Sequence, residues 1–292
     1  MDYIYSIIIP HKNIPDLLTR CLDSIPKRED TQIIIVDDNS NPTIVDFNNF
    51  PGIDRQNTEI VFSKEGKGAG YARNLGLSKV RNTKWIIFAD SDDFFSDNFN
   101  SKLDLYSNSD ADLIFFQMDS VDTISLKPSN RKDFRNNKFF KAIKDNDQGI
   151  LKYKMYGPTT KFISYKLIKN HNIIFEEVKA ANDVMFSVKV GHYANNIITD
   201  KDILYVVTER EDSLVNTISY ENLECRFFVT IRLNKYLTEI NAGKYRSLIF
   251  NHIYTFFKLK PIWGLRYFFI YLKNTPIKYL LQDIVKIIIY KN

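Results

Sequence analysis

The sequence predicts an α/β fold, with a doubly wound, mostly parallel sheet followed by a C-terminal helical extension. Over residues 1–120, short apolar runs alternate with helical stretches, as in βαβ units. The runs Tyr3–Pro10 and Gln32–Val36 are almost continuously apolar, which is typical of strands covered on both faces. Beyond Ser219 the apolar spacing is helical. A chain of 292 residues has room for such a domain and an appendage, and we place the boundary between 1–215 and 216–292.

The bounds of the predicted elements follow from local signals such as prolines, glycines and polar stretches. Between the first two strands, residues 15–25 have helical apolar spacing, and Pro15 and Pro26 mark the ends of that helix. The polar stretch Asp119–Lys138 is predicted to be a loop or insertion. The other predicted elements are strand Glu59–Ser63, helix Gly70–Val80, strands Trp85–Ala89 and Asp112–Phe116, helices Phe162–Asn170 and Val184–Tyr193, and strand Ile203–Thr208. Near Gly243, Pro261 and Pro276 we expect breaks in the C-terminal helices.

The composition is that of a folded protein from a reducing compartment. A hydrophobic content of 44% with 10 Gly and 9 Pro excludes collagen-like and wholly disordered chains. Two isolated cysteines, Cys21 and Cys225, build neither a disulfide framework nor a zinc site. The first residues lack the basic segment of a signal peptide, and no run of 18 uncharged apolar residues predicts a transmembrane helix. We therefore expect a cytoplasmic protein.

Charge is distributed unevenly along the chain. Residues 243–292 hold 9 Lys and Arg against one Asp, a local charge of +8, together with 12 of the 41 aromatic residues. Basic amphipathic helices rich in aromatics favour an anionic membrane surface, which would place the protein at the inner face of the membrane. Packing on the rest of the chain, or a homodimer, would also account for them. No nucleic-acid-binding module is recognisable, so nucleic acid is not expected as a partner.

Carboxylates follow several of the predicted strands. The second strand ends in Asp37 and Asp38, and the strand beginning at Trp85 ends in Asp90, Asp92 and Asp93. Ligands of open parallel sheets bind at these strand ends. Such a cluster suits a hard cation, Mg²⁺ or Mn²⁺, held by Asp90 and Asp92 and completed by the oxygens of a nucleotide diphosphate. The alternative is that each Asp only makes a turn or caps a helix.

A glycine-rich segment at residues 66–76 lies between these strand ends. Its spacing is neither GxGxxG nor that of a P-loop, so a dinucleotide site and a P-loop are both weakly supported. Lys67 and Arg73 would place positive charge beside the carboxylates, which suits the base and phosphates of a nucleotide. An ordinary helix start with flexible glycines is the alternative.

The motifs SIIIPHKN, IIIVDDNS, GAGYARNLGL and IIFADSDDFF, in that order, resemble those of the family 2 glycosyltransferases, inverting enzymes of the GT-A fold. The resemblance implies that residues 1–215 form a catalytic domain that binds a nucleotide sugar. It implies that Pro10, Asp37 and Asp38 line the base and ribose pocket, in which His11 also lies, and that Lys67 and Arg73 sit beside the nucleotide. Asp90 and Asp92 match the DxD motif, which implies that Asp90 lies near the ribose and the metal and that Asp92 binds the metal, with Asp93 as a third member of the motif.

The same resemblance implies a catalytic base at Asp183. The family has an acidic pair at the start of a downstream helix, and Asn182 replaces its first acid here. Inversion requires an acceptor hydroxyl to lose its proton opposite the departing diphosphate, and a carboxylate can accept that proton. Glu176 and Glu177 are the nearest substitutes, and a helix cap is the alternative role for Asp183.

Two further segments resemble family features. Residues 157–161 match a loop that lies by the sugar or the acceptor, and Arg210 lies in a segment that is near the active site in relatives. For Arg210 a surface charge run is the favoured alternative.

The resemblance implies transfer of a sugar from a nucleotide-diphosphate donor, with UDP favoured through the family, to a glycan or lipid-linked acceptor in bacterial surface polysaccharide synthesis. A sugar-nucleotide nucleotidyltransferase would share the nucleotide site and the metal carboxylates without needing a base at Asp183. A catalytically inactive nucleotide-binding scaffold is the non-enzymatic alternative.

Overall fold

The computed structural model describes residues 3–209 and 219–290. The chain divides into two compact units, 1–216 and 217–292, next to the boundary expected from the sequence. The first unit is a sheet with helices, and the second is helical.

The first unit is built on an eight-stranded mixed sheet with the order β3-β2-β1-β4-β7-β6-β8-β5. Its strands are β1 (Tyr5–His11), β2 (Thr31–Asp38), β3 (Thr58–Ser63), β4 (Trp85–Phe88), β5 (Phe94–Phe95), β6 (Leu113–Asp122), β7 (Lys161–Ser164) and β8 (Ile197–Glu209). Strands β3, β2, β1 and β4 are all parallel, as is the β6–β8 pair. Strand β7 is antiparallel to both its neighbours, and β5 is antiparallel to β8. The predicted α/β class is confirmed, and its parallel half carries the sequence motifs.

Helices lie between the strands of this sheet in the chain order. They are α1 (Pro15–Asp23), α2 (Ala69–Ser78), α3 (Phe99–Tyr106), α4 (Asp133–Lys144), α5 (Gln148–Lys154), α6 (Tyr165–Asn170) and α7 (Asp183–Tyr193). Helix α1 begins at Pro15, which needs no amide donor at the first helical position. Its buried residues Leu18, Cys21 and Leu22 recur at helical spacing, so one face of α1 joins the core.

The core of the first unit lies at the centre of the parallel strands. Ile7 pairs in register with Ile33 on one side and Ile87 on the other, and all three are buried. Burial of each such side chain contributes about 2 kcal/mol. His11 pairs in the same register with Asp37, so the polar residues that follow β1 and β2 emerge together at one edge.

Two elements predicted from the sequence are wrong in part. Residues 162–164, expected to start a helix, belong to strand β7, and the helix begins only at Tyr165. The predicted loop Asp119–Lys138 contains the end of β6 and the first half of α4. The sequence does not predict helix α4 because most of its residues are polar. Only Phe139 and Ala142 of this helix are buried.

The second unit contains α8 (Tyr220–Glu239), a 3₁₀ turn (Gly243–Tyr245), α9 (Phe250–Leu259), α10 (Pro261–Asn274) and α11 (Ile277–Tyr290). The breaks expected near Gly243, Pro261 and Pro276 are confirmed. The ring of Tyr267 stacks on Phe256 with 3.8 Å between centroids, and Phe227 packs edge-on against both. Among the described residues, no helix is both long and apolar enough to cross a bilayer.

Candidate active site

The loops after β1 and β2 are joined by buried hydrogen bonds. His11 Nδ1 donates to Asp37 over 2.7 Å, because the backbone amide of Ile14 donates to its Nε2. Asp37 also accepts from the amide and hydroxyl of Ser40, at 2.9 and 2.5 Å. Burial alone would raise the pKa of Asp37, but the hydrogen bonds from His11 and Ser40 outweigh it and hold the pKa below its usual range. His11 and Asp37 thus form a rigid, buried support, while Pro10 just before them is partly exposed.

Asp38 holds the glycine-rich loop that precedes α2. Its two carboxylate oxygens accept the backbone amides of Lys67, at 3.1 Å, and Gly68, at 2.7 Å. Gly68 has φ +91°, which side chains rarely adopt, so glycine permits this turn. The Lys67 side chain is half exposed and pairs with Glu65 at 2.9 Å. The structure therefore joins Asp38 to the backbone of Lys67 and leaves the Lys67 ammonium outside the carboxylate cluster.

Arg73 connects the predicted site residue Asp90 to the residue that precedes the predicted base. Its guanidinium donates to Asp90 over 2.5 Å and to the side-chain oxygen of Asn182 over 2.9 Å. The arginine is 6% exposed and lies over the ring of Phe175, whereas the Asp90 carboxylate is 38% exposed. Arg73 thus brings the strand end of β4 next to the residue that precedes Asp183.

The turn after β4 is fixed by β8 and α1. Tyr205 on β8 accepts the backbone amide of Asp90 over 2.8 Å, and the Thr208 hydroxyl donates to the carbonyl of Asp92 over 2.8 Å. Arg20 on α1 donates to that same carbonyl over 2.7 Å. Asp93 is buried and accepts the amide of Thr208, and burial next to Asp92 and Asp90 raises its pKa well above the usual range.

Asp183 is the first residue of α7, where the helix dipole favours a negative charge. The residue as a whole is partly exposed. Burial raises the pKa of Asp183, and the positive charge of Arg73 opposes that rise. A partly desolvated carboxylate of raised pKa at a helix start is a suitable proton acceptor.

Close approach of α2 holds the segment before α7 in place. Asn74 donates to the carbonyl of Phe175 and accepts its amide, at 3.1 and 2.8 Å. A Cβ on Gly70 would lie 2.3 Å from the carbonyl oxygen of Glu176 and 3.0 Å from Cβ of Asn182. The motif GAGYARNLGL is therefore largely a docking surface for residues 175–182.

Gly70→Ala is expected to destabilise the protein and to lower turnover. Alanine gains up to about 1 kcal/mol of helix propensity, but overpacking against a backbone oxygen costs about 1–3 kcal/mol, and the segment carrying Asp183 must shift. Chemical denaturation would be compared with Gly157→Ala, whose Cβ meets nothing within 4 Å, and turnover with the unaltered protein. Equal stability of the two variants, or unchanged turnover of Gly70→Ala, would contradict this account.

The residues at the end of β4 suit a magnesium-type cation. Carboxylate oxygens are its preferred ligands, and one or two of them suffice when water and phosphate complete the shell. Asp90 is partly exposed and Arg73 occupies only one of its oxygens. Asp92 is partly exposed as well. Within residues 3–209 and 219–290 no three or more His, Cys, Asp or Glu residues are arranged as a complete metal site, so Asp90 and Asp92 would need phosphate ligands.

The sequence does not indicate several of the residues that hold the candidate site in place. Tyr205, Thr208 and Arg20 are far from the motifs in sequence and carry no local signal. Lys161, from the segment 157–161 assigned to the sugar or acceptor, is fully buried and donates to the carbonyl of Met155 over 2.6 Å. Arg210 lies outside the described residues.

Comparison with known proteins identifies relatives. The model of "Glycosyl transferase family 2" matches residues 6–170. A poly(ribitol-phosphate) beta-glucosyltransferase of Bacillus spizizenii is 26% identical over 220 residues, which is 74% of this chain and 34% of that protein. The poly(ribitol-phosphate) beta-N-acetylglucosaminyltransferase TarS of Staphylococcus aureus is 24% identical over 217 residues, 71% of this chain and 36% of that protein. The chain thus spans about a third of the length of these curated relatives.

Solved structures show the same fold. A TarS fragment in complex with UDP-GlcNAc superimposes with a TM-score of 0.71 at 21% identity, covering 94% of this chain and 82% of that one. The mannosyltransferase PcManGT of Pyrobaculum calidifontis, in complex with GDP-Man and Mn²⁺, gives a TM-score of 0.59 at 12% identity, covering 100% of this chain and 82% of that one. The fold is of the GT-A type, as the sequence motifs implied. Because the family model covers more than half of its residues, the chain belongs to glycosyl transferase family 2.

Proposed function

We propose that this protein transfers a sugar from a nucleotide-diphosphate donor, a UDP-sugar, to a glycan or lipid-linked acceptor with inversion at the anomeric carbon. One observation carries the proposal: Arg73 binds both Asp90, at the strand end expected to hold the donor, and Asn182, next to the expected base. These contacts support a single site in which the proposed donor-binding groups and the proposed base can act on the same anomeric carbon.

The donor site proposed here lies at the ends of β1, β2 and β4. Pro10, Asp37 and Asp38 would line the base and ribose pocket, and His11 would hold Asp37 in place through its hydrogen bond. Arg73 would sit beside the nucleotide together with Asp90, and Lys67 would contribute from the exposed loop. The TarS complex with UDP-GlcNAc, which has this fold, supports a UDP-sugar as donor.

Asp90 and Asp92 would hold a Mg²⁺ or Mn²⁺ ion, which supplies positive charge next to the diphosphate as it leaves. The chemistry of two partly exposed carboxylates at one turn supports this assignment. The PcManGT complex contains Mn²⁺ in a protein of similar fold.

Asp183 would act as the base. As the acceptor oxygen forms its bond to the anomeric carbon, the bond from that carbon to the diphosphate oxygen breaks, and the hydroxyl proton passes to the Asp183 carboxylate. The products are the inverted glycoside, the nucleoside diphosphate and a proton that Asp183 later releases to water. The raised pKa of Asp183 strengthens it as an acceptor.

The acceptor belongs to the bacterial cell surface in this proposal. The B. spizizenii and S. aureus relatives are named for poly(ribitol-phosphate), a polymeric acceptor. Growth of such a polymer on a lipid carrier would place the enzyme in the cytoplasm, at the inner face of the membrane. The +8 charge of residues 243–292 supports that location.

A donor screen tests the proposed function. Full-length protein with a panel of UDP- and GDP-sugars, Mg²⁺ or Mn²⁺ and poly(ribitol phosphate) is expected to release nucleoside diphosphate and form a glycoside of inverted anomeric configuration, measured by proton NMR. Release of pyrophosphate from a nucleoside triphosphate would instead identify a nucleotidyltransferase. Donor binding, seen as a thermal shift, without turnover on any acceptor would favour the inactive scaffold.

A further inference from the structure

Helix α10 has two apolar faces, although only one is needed for the core of the second unit. Gly264, Tyr267 and Tyr271 recur at helical spacing and are buried within that unit. On the other side, Ile262 is 68% exposed and Phe269 64% exposed, and the half-exposed Leu265 and Leu272 lie between and after them. Four large apolar side chains at positions i, i+3, i+7 and i+10 form one continuous exposed stripe.

Basic side chains border this stripe. Arg266 and Lys273 are exposed, and at 100° per residue they lie with the four apolar residues within an arc of about 120°. Lys258 and Lys260, just before the helix, are exposed as well. We call the outward stripe with Arg266 and Lys273 the α10 face.

Within residues 250–290, exposed negative charge does not balance these basic groups. Over residues 250–290 the sequence has a single acidic residue, Asp283. Its side chain is buried, and it accepts a hydrogen bond from the Tyr271 hydroxyl over 2.7 Å. The exposed charges along this stretch of the described chain, at Lys258, Lys260, Arg266, Lys273 and Lys278, are therefore all positive.

We infer that the α10 face binds an anionic lipid bilayer, with the helix lying in the plane of the interface. This inference sharpens the membrane location proposed above and does not depend on glycosyl transfer. The 14 residues of α10 span about 21 Å, less than the roughly 30 Å of a hydrocarbon core, so the helix lies on the membrane instead of crossing it. The apolar stripe enters the acyl boundary, and Arg266 and Lys273 reach the phosphates.

Charge favours lipid over a second copy of the chain. A two-fold interface places the same patch of both subunits face to face, so Arg266 and Lys273 would meet their own copies. An anionic bilayer provides the opposite charge, and each basic residue near its surface contributes about 1 kcal/mol.

Vesicle flotation of the full-length chain tests this inference. We expect binding to vesicles of equal parts phosphatidylcholine and phosphatidylglycerol, weaker binding to phosphatidylcholine alone, and release by salt. The double variant Arg266→Gln with Lys273→Gln should lower partitioning about 30-fold. The matched control is Lys144→Gln with Lys169→Gln, two exposed lysines of the first unit, which should leave partitioning unchanged.

The apolar stripe has its own control. Ile262→Ser with Phe269→Ser should lower partitioning at least about tenfold, whereas Ile124→Ser with Phe134→Ser, which changes two side chains of the first unit that are even more exposed, should not. Circular dichroism and the unfolding midpoint would verify that each variant folds. Unchanged partitioning of both α10 variants would overturn the inference. So would a lipid-free dimer in sedimentation that the same variants dissociate, because the face would then bind a second copy.

Discussion

Asp183→Asn is expected to abolish glycosyl transfer while leaving donor binding intact. Asparagine keeps the size of the side chain at the start of α7 but cannot accept a proton, and a positioned base contributes about 10²–10⁴-fold to the rate. Because the hydrogen bonds of Arg73 go to Asp90 and Asn182, the donor side of the site should be unchanged. Turnover and calorimetric affinity for the UDP-sugar measure the two effects separately.

Glu176→Gln and Glu177→Gln are the matched controls, because these are the nearest other carboxylates in the sequence. Glu177 is exposed and accepts a hydrogen bond from Asn74, so its loss should have a small effect on turnover. Near-normal turnover of Asp183→Asn, or a collapse of turnover in either control, would remove Asp183 as the base.

The pH dependence of the rate provides a second readout on Asp183. A base works only when it is deprotonated, and burial raises the pKa of Asp183 above that of an ordinary Asp. The rate should therefore fall on the acidic side at a higher pH than an unperturbed Asp would give. In Arg73→Gln, which removes the opposing positive charge, this acidic limb should move to still higher pH. A limb that is unmoved in Arg73→Gln would contradict the electrostatic coupling.

The sequence predicts strands β1, β2 and β4 of the parallel half well because both of their faces are buried. Their central residues form uninterrupted apolar runs, which are III in β1, IIIV in β2 and WIIF in β4. Strand β7 is only four residues long and merges with the helix that follows, so its apolar residues share the helical spacing of α6. Its strand character comes from antiparallel pairing with β4 and β6, which no local pattern reveals.

Contacts within the candidate site could be predicted where they join neighbouring motifs, and not where they join residues distant in sequence. The association of Asp90 with Arg73 follows from adjacent motifs. The support that Tyr205 gives to the Asp90 amide joins residues 115 apart in sequence. Asn182 stands where the family pattern has an acid, and its side-chain oxygen accepts a hydrogen bond from Arg73. An acid at this position could accept the same hydrogen bond but would also carry a negative charge. The apolar residues of α10 recur with the helical period, but only the burial of each side chain in the structure shows which apolar face packs in the core and which is exposed.

Asp92→Asn is expected to abolish the metal-dependent part of donor binding. In the proposed site Asp92 binds the cation that contacts the diphosphate, and a neutral amide replaces a negatively charged ligand there. Affinity for UDP-sugar in Mn²⁺ should fall at least about 10²-fold, to the value that the unaltered protein shows in EDTA. Titration calorimetry with and without Mn²⁺ gives both affinities.

Asp93→Asn is the matched control in the same turn. Burial raises the pKa of Asp93 well above the usual range, so its carboxyl is readily protonated, and an asparagine oxygen can still accept the Thr208 amide. This variant should bind the donor in Mn²⁺ nearly as the unaltered protein does. If both variants lose Mn²⁺-dependent affinity equally, the effect is on the shape of the turn that Thr208 and Arg20 hold in place. If Asp92→Asn keeps full affinity, Asp92 does not bind the metal, and Asp90 alone would remain to hold it.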